Sequence, residues 1–503
     1  MTSFPIAVRI CGVDARRRHC STCCKPEVET SSRQLFRCGA CKELYYCSKA
    51  CQVRDWKAGH KVECGHHLRW TNRFGNNTQN FDDLCLVART LLHVHGKDGP
   101  ESCSEMASYS GHSLHVPRPV ACGLSHWNAM DEVHIWREEE EECEGGGDEN
   151  EGSEEMGSAA RDKTLRLAIA QEAAHALSEL GVTQELAVAT QRKFSSNNFS
   201  IFNEHLTGYA AGVYPWAAVL NHSCAPNCVV RFEFSSKAEP PLLHLVAVQS
   251  VSPGDELCHS YVDLMLTTPN RQLQLKQKYE IDKCDCVRCS GGAMAPWPVS
   301  AEGDNALSTD IDPFFFDTGT STVDMGVDGT RRRHTFLPID DFYDIMPWAR
   351  DVEGKAPVDA STNSHIFSLL AQADTALGQG DDEGELVALR SAMHQHDALG
   401  LPPVGPLAYR ICTRLLSAYI VAGQHEDALA FCKRAVVCLC VALAHVEHHP
   451  MLGLQLFTLA DLYEAQGAAA EERATRAYRW ARRVLVVTHG KESSMVRRLD
   501  TFL

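Results

Sequence analysis

Apolar residues recur at helical spacing in three separate parts of the chain. They do so from Phe81 to His93, from Leu165 to Ala189, and throughout the region that begins at Ser364. Spacings of three and four residues place side chains on one face of a helix, so each part is predicted to be helical with one buried face.

The region that begins at Ser364 also shows a repeated pattern of apolar runs and glycines. The pieces 415–431 and 456–467 each contain an apolar helical run and a glycine. An apolar helix, a glycine turn and a second helix in succession resemble the paired helices of tetratricopeptide repeats (TPR), although the repeat period is imperfect. Residues 361–503 are therefore predicted to form a TPR-like helical domain.

The middle of the chain has a different pattern. From Phe199 onward, β-branched and aromatic residues alternate with glycine and proline turns, and the run 244–251 reads as a strand before the turn Ser252-Pro-Gly-Asp. Strands here and helices on either side predict an α+β architecture for the central part.

In two segments the apolar residues recur at neither helical nor strand spacing. The run Glu138–Glu155 consists almost entirely of acidic residues with glycine and serine, so residues 138–158 are predicted to be a disordered surface loop that buries no apolar area. Residues 291–360 are rich in glycine, proline, aspartate, serine and threonine, which predicts a long linker or an insertion.

Composition narrows the class of protein. A chain of 503 residues predicts two to four domains, and its formal charge of -17 argues against broad nucleic-acid binding. The N-terminal sequence has no signal-peptide pattern and no stretch reads as a membrane span, which predicts a soluble protein of the cytoplasm with access to the nucleus. In such a chain, 23 cysteines at short fixed spacings favour metal binding over disulfides.

Eight cysteine and histidine residues near the N-terminus form four closely spaced pairs. The pairs are Cys20 and Cys23, Cys38 and Cys41, Cys47 and Cys51, and His60 and Cys64. Eight ligands suffice for two tetrahedral zinc ions, and few aliphatic residues are available there for a core without metal. The alternative, a set of free structural cysteines, fits this spacing poorly. The segment from Trp56 to Cys64 is predicted to be a short helix, with His19, Cys24, His66 and His67 as bystanders.

The order and spacing of these ligands resemble those of the MYND finger family. The resemblance implies that the pairs interleave, with Cys20, Cys23, Cys47 and Cys51 around one ion and Cys38, Cys41, His60 and Cys64 around the other. It also implies binding of proline-rich peptides without catalysis. All four positions on each ion would be taken by protein, which disfavours a hydrolytic metalloenzyme.

A second group of short motifs lies further along the chain, from residue 221 to residue 289. It comprises Asn221-His-Ser-Cys-Ala-Pro-Asn-Cys, Gly254-Asp-Glu-Leu, Ser260-Tyr-Val-Asp, and the cysteines Cys284, Cys286 and Cys289. This ordered set resembles SET-domain lysine methyltransferases. Together with the MYND-like segment and the helical tail, the chain resembles the SET- and MYND-domain family, called SMYD.

The resemblance implies a division of the chain. The fold class expected is α+β, a SET-domain β-fold interrupted by a zinc-binding MYND finger, with a C-terminal all-α TPR-like domain. The segments are a remnant of the N-terminal SET segment at 1–19, the MYND finger at 20–64, a helical insert at 65–190, the SET core at 191–265, the post-SET zinc segment at 266–290, the linker at 291–360 and the TPR-like domain at 361–503.

The same resemblance assigns roles to residues. It implies transfer of a methyl group from S-adenosylmethionine to protein lysines, with Tyr261, Phe199 and Tyr279 forming the catalytic channel. Asn197, Asn221, His222 and Tyr261 would bind the cofactor, and Cys224 would join Cys284, Cys286 and Cys289 around a third zinc ion. Aromatic walls suit this reaction because they exclude water and stabilise cations through their π faces. The expected partners are protein substrates with histone or non-histone lysines, proline-rich peptides at the MYND finger, and helical peptides or chaperone tails at the TPR-like domain.

The sequence also departs from the family pattern. The Gly-x-Gly turn that contacts the cofactor at the start of family members is absent from this sequence, which predicts either weak cofactor binding or a start internal to the gene product. Tyr279 stands one residue further from Cys284 than the family tyrosine, and an aromatic residue expected near Ile281 is missing. The competing hypothesis is therefore a catalytically inactive adaptor that keeps all three zinc sites and recruits peptides.

Overall fold

The computed structural model describes residues 2–95, 152–290 and 364–503, apart from Phe4, residues 30–33 and 76–77, Ser236, residues 402–403 and 444–445, and Glu447. The chain divides into two compact units. The first comprises residues 1–221, 230–245 and 277–280, and the second comprises residues 222–229, 246–276 and 281–503. The linker predicted at 291–360 lies outside the described residues.

Sixteen α-helices lie in the described ranges. They are α1 (Val13–Arg18), α2 (Lys49–Asp55), α3 (Lys61–Glu63), α4 (His67–Phe74), α5 (Thr78–His95), α6 (Gly152–Ala176), α7 (Gln184–Ser196), α8 (Pro215–Ala218), α9 (Thr268–Tyr279), α10 (Ser364–Gln379), α11 (Asp382–Ala398), α12 (Pro406–Val421), α13 (His425–Ala442), α14 (Pro450–Glu464), α15 (Glu471–Thr488) and α16 (Ser494–Leu499). Short 3-10 turns cover Glu27–Glu29, Ser178–Leu180 and Gly467–Ala470, and a π-helical turn covers Trp56–His60. None of the helices in these ranges is long and apolar enough to cross a membrane.

Ten short strands within the described residues form small sheets. They are β1 (Thr2–Ser3), β2 (Ala7–Ile10), β3 (Phe36–Arg37), β4 (Tyr45–Tyr46), β5 (Asn198–Phe202), β6 (Gly208–Val213), β7 (Asn221–His222), β8 (Cys228–Glu233), β9 (Leu242–Ala247) and β10 (Cys258–His259). Their orders are β1-β9-β8, β2-β6-β5, β10-β7 and β3-β4. Both β2 and β5 pair antiparallel with β6. Small antiparallel sheets of this kind, with helices around them, confirm the predicted α+β class with its MYND and SET parts.

The core of the first unit is helical. Trp70 on α4, with Phe81, Leu84 and Leu91 on α5, is almost completely buried, and alanine-rich α6 packs against them through Ala173. Residues at three- and four-residue spacing thus make one continuous apolar face, as the sequence predicts.

The acidic segment is only partly as expected. Helix α6 begins at Gly152, inside the segment predicted to be a disordered loop, while residues 138–151 lie outside the described residues. Alanines follow closely at 159 and 160, and alanine has the highest helix propensity. The loop prediction is therefore wrong for residues 152–158.

The helices of the second unit pack in sequence order. Helix α10 packs on α11, α12 on α13 and α14 on α15, with apolar faces that include Ile366, Leu415, Leu456 and Leu485. Left-handed glycines follow α10 and α12 at Gly380 and Gly423, where a residue with a side chain would be strained. This arrangement is the series of paired helices predicted for the TPR-like region.

Candidate zinc centres and cofactor site

The first ligand group lies where the β3–β4 hairpin meets helix α2. The potential ligand atoms of Cys20, Cys23, Cys47 and Cys51 all lie within 4.8 Å of one another. The Sγ atom of Cys47 is 3.7 Å from that of Cys23 and 3.5 Å from that of Cys51. Sulfurs bound at about 2.3 Å to one tetrahedral zinc ion are about 3.8 Å apart, so this geometry fits zinc.

The second group combines the other two pairs. Cys38, Cys41, His60 and Cys64 also fall within 4.8 Å of one another. The Nε2 atom of His60 is 3.5 Å from the Sγ of Cys38 and 3.6 Å from the Sγ of Cys41, and the Sγ atoms of Cys38 and Cys64 are 3.9 Å apart. Three thiols and one imidazole at these distances form a second zinc-type donor set.

The segment predicted as one short helix from Trp56 to Cys64 is interrupted. Gly59, inside the π-helical turn that precedes α3, adopts a φ of 145°. A Cβ atom at this position would lie 2.9 Å from Nε of Arg89 and 3.0 Å from Leu92. The kink therefore needs glycine, for its backbone conformation and for space, and it brings His60 into the ligand group.

The neighbouring cysteine and histidine residues lie outside these two groups. Burial raises the pKa of the Cys24 thiol well above its ordinary value, so this side chain stays a neutral thiol. His60, Glu63 and His67 form a further cluster within 4.8 Å. Arg89 donates from Nε to the Glu63 carboxylate at 2.6 Å, and this cation beside Glu63 disfavours an additional metal ion there.

A third group lies in the second unit. The Sγ atoms of Cys224, Cys284, Cys286 and Cys289 fall within 4.8 Å of one another. The backbone N–H groups of Cys289 and Ser290 both donate to the carbonyl of Cys286 at 2.9 Å, which forms the tight turn that aims two sulfurs at one point. Four thiols without a disulfide among them match a structural zinc site.

Two side chains that the sequence analysis missed surround this third group, and both lie on α9. Gln272 receives the N–H of Cys284 at 2.8 Å and donates to the carbonyl of the same residue at 3.3 Å. The Nε of Arg271 donates to the Sγ of Cys224 at 3.3 Å. Neither residue has a spacing or a motif in the sequence that marks it.

His222 links the third group to Tyr261. Its Nδ1 accepts the backbone N–H of Tyr261 at 3.0 Å, and its Nε2 lies 3.2 Å from the Sγ of Cys224. Because Nδ1 accepts a hydrogen bond, the neutral ring carries its proton on Nε2, which donates to the sulfur. The residue predicted to bind cofactor thus also contacts a predicted zinc ligand.

The ring of Tyr261 is half-buried between two imidazoles. Its centroid lies 5.3 Å from that of His222 and 5.0 Å from that of His259. Burial lowers the pKa of His259 to about 4, so this ring is neutral near pH 7. The tyrosine therefore stands beside an uncharged imidazole on the His259 side.

The other predicted site residues lie in the first unit. Phe199 is half-buried on β5, with its ring edge-on to the buried Tyr214 at 6.0 Å. Asn221 is exposed, and Tyr279 is half-buried at the end of α9, where burial raises the pKa of its phenol. The structure thus places Phe199, Tyr279 and the two asparagines in one unit, and Tyr261 and His222 in the other.

Asn197, the fourth residue predicted to bind the cofactor, has a fixed side-chain amide. At the end of α7 its side-chain amide donates to the carbonyl of Lys193 at 2.7 Å and to Oγ of Ser196 at 3.1 Å. Both amide protons are used in these bonds, which orient the carbonyl Oδ1 as an acceptor. A carbonyl acceptor of this kind can receive a hydrogen bond from a cationic ammonium group.

Comparison with known proteins agrees with these features. Residues 11–64 match the MYND finger family and residues 136–262 match the SET domain family. The chain is 25% identical to the human N-lysine methyltransferase SMYD2 over 289 residues, 57% of this chain and 54% of that protein. It is 29% identical to the human histone-lysine N-methyltransferase SMYD3 over 287 residues, 57% of this chain and 55% of that protein.

A longer match is found with the mouse histone-lysine N-methyltransferase SMYD3, at 23% identity over 503 residues, which cover 100% of this chain and 90% of that protein. For the SMYD2 relatives, however, the match spans only about half of their length.

Proposed function

Because the chain belongs to the SET- and MYND-domain (SMYD) family, we propose that it is an S-adenosylmethionine-dependent protein-lysine N-methyltransferase. The observation that carries this proposal is the position of Tyr261. Its backbone is held by His222, which also donates to Cys224, so the tyrosine sits at a fixed distance from a zinc-type cluster. A preorganised side chain of this kind is what a transfer reaction needs.

The cofactor supplies an electrophilic methyl group on a sulfonium. Asn197 would accept a hydrogen bond from the ammonium of the cofactor, and Asn221 and His222 would bind its adenosine part. By the family resemblance, Phe199 and Tyr279 would line the lysine channel and exclude water from it. Tyr261 would orient the lysine amine through its hydroxyl and contact the developing cation with its ring.

We propose three zinc ions, one in each ligand group. Two belong to the MYND finger, where the cysteines themselves form much of the local core together with Leu44 and Tyr46. The third belongs to the post-SET segment, and binding it would order the chain next to Tyr261.

The substrates proposed are lysines of histone or non-histone proteins. The MYND finger would bind proline-rich peptides, and the TPR-like helices would bind helical peptides or acidic chaperone tails. The helices offer charge for such a tail, since Arg479 and Arg483 lie one turn apart and line a surface concavity. The same concavity is lined by Leu503 and by the ion pair of Arg482 with Asp500.

The test begins with calorimetric titration of the zinc-loaded chain with S-adenosylmethionine. Micromolar binding that is lost in Asn221→Ala is expected, and Tyr261→Phe should still bind cofactor. With tritiated cofactor and core histones as the first substrate, we expect Tyr261→Phe to lower methyl transfer by about 10²-fold or more.

Each negative result has its own meaning. Absence of cofactor binding by folded, zinc-loaded protein contradicts the enzyme proposal and favours the adaptor. Equal transfer by the wild type and Tyr261→Phe contradicts the catalytic role of the tyrosine. Cofactor binding without histone methylation directs the search to non-histone proteins.

A further inference from the structure

Arg271 is completely buried on α9, beside the third cysteine group. Its Nε donates to the Sγ of Cys224 at 3.3 Å and its Nη2 approaches the Sγ of Cys289 at 3.8 Å. The rest of the guanidinium is held by the protein, with Nη1 donating to the carbonyl of Leu266 at 2.6 Å and Nη2 to Oγ1 of Thr268 at 2.7 Å. The guanidinium is thus fixed in place with its charge next to two sulfurs.

The charge of the site explains why a cation is needed there. Four thiolates around one Zn²⁺ carry a net charge of about -2, and a buried charge without compensation is strongly unfavourable. Arginine stays protonated at every relevant pH and donates several hydrogen bonds in a fixed plane. A buried arginine is itself unfavourable without an anionic partner, so the arginine and the zinc-thiolate cluster stabilise each other.

We infer that Arg271 is the charge-balancing residue of the third zinc site and that it slows zinc release. It is a positioning residue, because it acts through Cys224 and Cys289 and not on the substrate. Hydrogen bonds to metal ligands of this kind typically change metal affinity by about 10- to 100-fold. The inference rests on the zinc occupancy proposed above, and it does not depend on methyl transfer.

Zinc release from each site can be followed separately in the full-length protein. The zinc-loaded chain is exposed to a chelator, pulsed with iodoacetamide at successive times, digested with trypsin and measured by mass spectrometry. Alkylation of peptide 284–288, which contains Cys284 and Cys286, reports the third site. Peptide 50–54, which contains Cys51, reports the MYND finger in the same sample.

Arg271→Gln removes the charge but keeps a polar side chain. We expect alkylation of peptide 284–288 to become about 10-fold faster or more, with no change for peptide 50–54. Arg271→Lys keeps the charge but not the fork that reaches both sulfurs, so its rate should fall between those of the wild type and Arg271→Gln.

The matched control is Lys276→Gln on the same helix. Lys276 is largely exposed and pairs with the exposed Asp282 at 3.4 Å, so this variant loses one charge without touching a sulfur and should release zinc at the wild-type rate. A wild-type rate in Arg271→Gln overturns the inference, as does equal acceleration of both peptides or a rate in Arg271→Lys equal to that of Arg271→Gln. If Arg271→Gln does not fold, a wild-type rate in Arg271→Lys overturns it.

Discussion

The backbone N–H of Tyr261 donates to Nδ1 of His222 at 3.0 Å, and the opposite nitrogen of the same ring contacts the Sγ of Cys224 at 3.2 Å. One imidazole therefore joins the predicted catalytic tyrosine to a predicted zinc ligand. Because a neutral ring has one donor and one acceptor, both contacts are satisfied at once only in a single tautomer. Zinc binding and placement of the tyrosine are thereby connected through two hydrogen bonds.

We predict that His222→Ala slows methyl transfer by about 10-fold or more. The substitution leaves the backbone N–H of Tyr261 without its acceptor, and an unsatisfied buried polar group costs about 1 to 3 kcal/mol. Steady-state kinetics and the zinc content of the purified variant are the measurements. The exposed His205 provides the control variant His205→Ala, which should behave like the wild type. An unchanged kcat together with unchanged affinity for S-adenosylmethionine would show that the imidazole has no role in positioning Tyr261.

Adjacent cysteines in the MYND finger offer a second test. Cys23 lies in the first ligand group, whereas Cys24 is equally buried but lies outside it. We expect Cys23→Ser to lose about one of three zinc ions per chain and to lower the thermal midpoint, because the metal replaces a core there. Cys24→Ala should keep all three ions. Zinc content is measured by mass spectrometry of the metal, and loss of zinc from both variants would contradict the ligand assignment.

Several parts of this architecture could be predicted from the sequence because they depend on local patterns. Ligand pairs such as Cys20 and Cys23 are recognised by spacing alone, and helix α5 follows from apolar residues at three- and four-residue intervals. The pairing of helices in the TPR-like region follows from apolar runs separated by glycine turns. In each case the signal lies within about 20 residues of sequence.

Other features depend on the tertiary structure and have no local signal. Arg271 looks like any polar residue of an exposed helix until the fold buries it against Cys224. Part of the need for glycine at position 59 comes from Arg89, which is 30 residues away along the chain and would collide with a side chain there. The start of α6 at Gly152 was missed because acidic composition favours disorder only on average.

The titration of His259 provides a test of burial next to Tyr261. Burial lowers the pKa of this ring to about 4, whereas the unfolded chain should have a histidine pKa near about 6.5. Between these values the unfolded state binds more protons at this residue than the folded state does. The contribution of His259 to stability therefore rises with pH over this window and is lost as the pH falls from about 6.5 to about 4. The contribution lost between pH 7.5 and pH 5 is about 2 kcal/mol.

Histidine ring signals from a ¹⁵N-labelled sample measure this pKa directly. The signal of His259 is assigned by its absence from the spectrum of His259→Phe. We expect the ring to stay neutral at pH 5.5, where an exposed histidine is mostly charged. A midpoint above about pH 6 for this signal, with zinc still bound, would contradict the buried and uncharged state described for the His259 ring.

Asp82 is predicted to be a major source of stability in the first unit. It is buried and accepts hydrogen bonds from Nε of Arg9 at 3.2 Å, from Arg16 and from the N–H of Gly12 at 2.8 Å. Asp82→Asn leaves two buried guanidinium groups without their carboxylate, which should lower the stability of this unit by about 3 to 5 kcal/mol. Urea unfolding followed by tryptophan fluorescence, to which the buried Trp70 contributes, measures the effect.

The control is Asp500→Asn. Its partner Arg482 is about as exposed as Asp500 itself, and an exposed pair contributes about 1 kcal/mol or less. Equal shifts of the two unfolding midpoints would mean that the buried Asp82 network stabilises the protein no more than an exposed ion pair does.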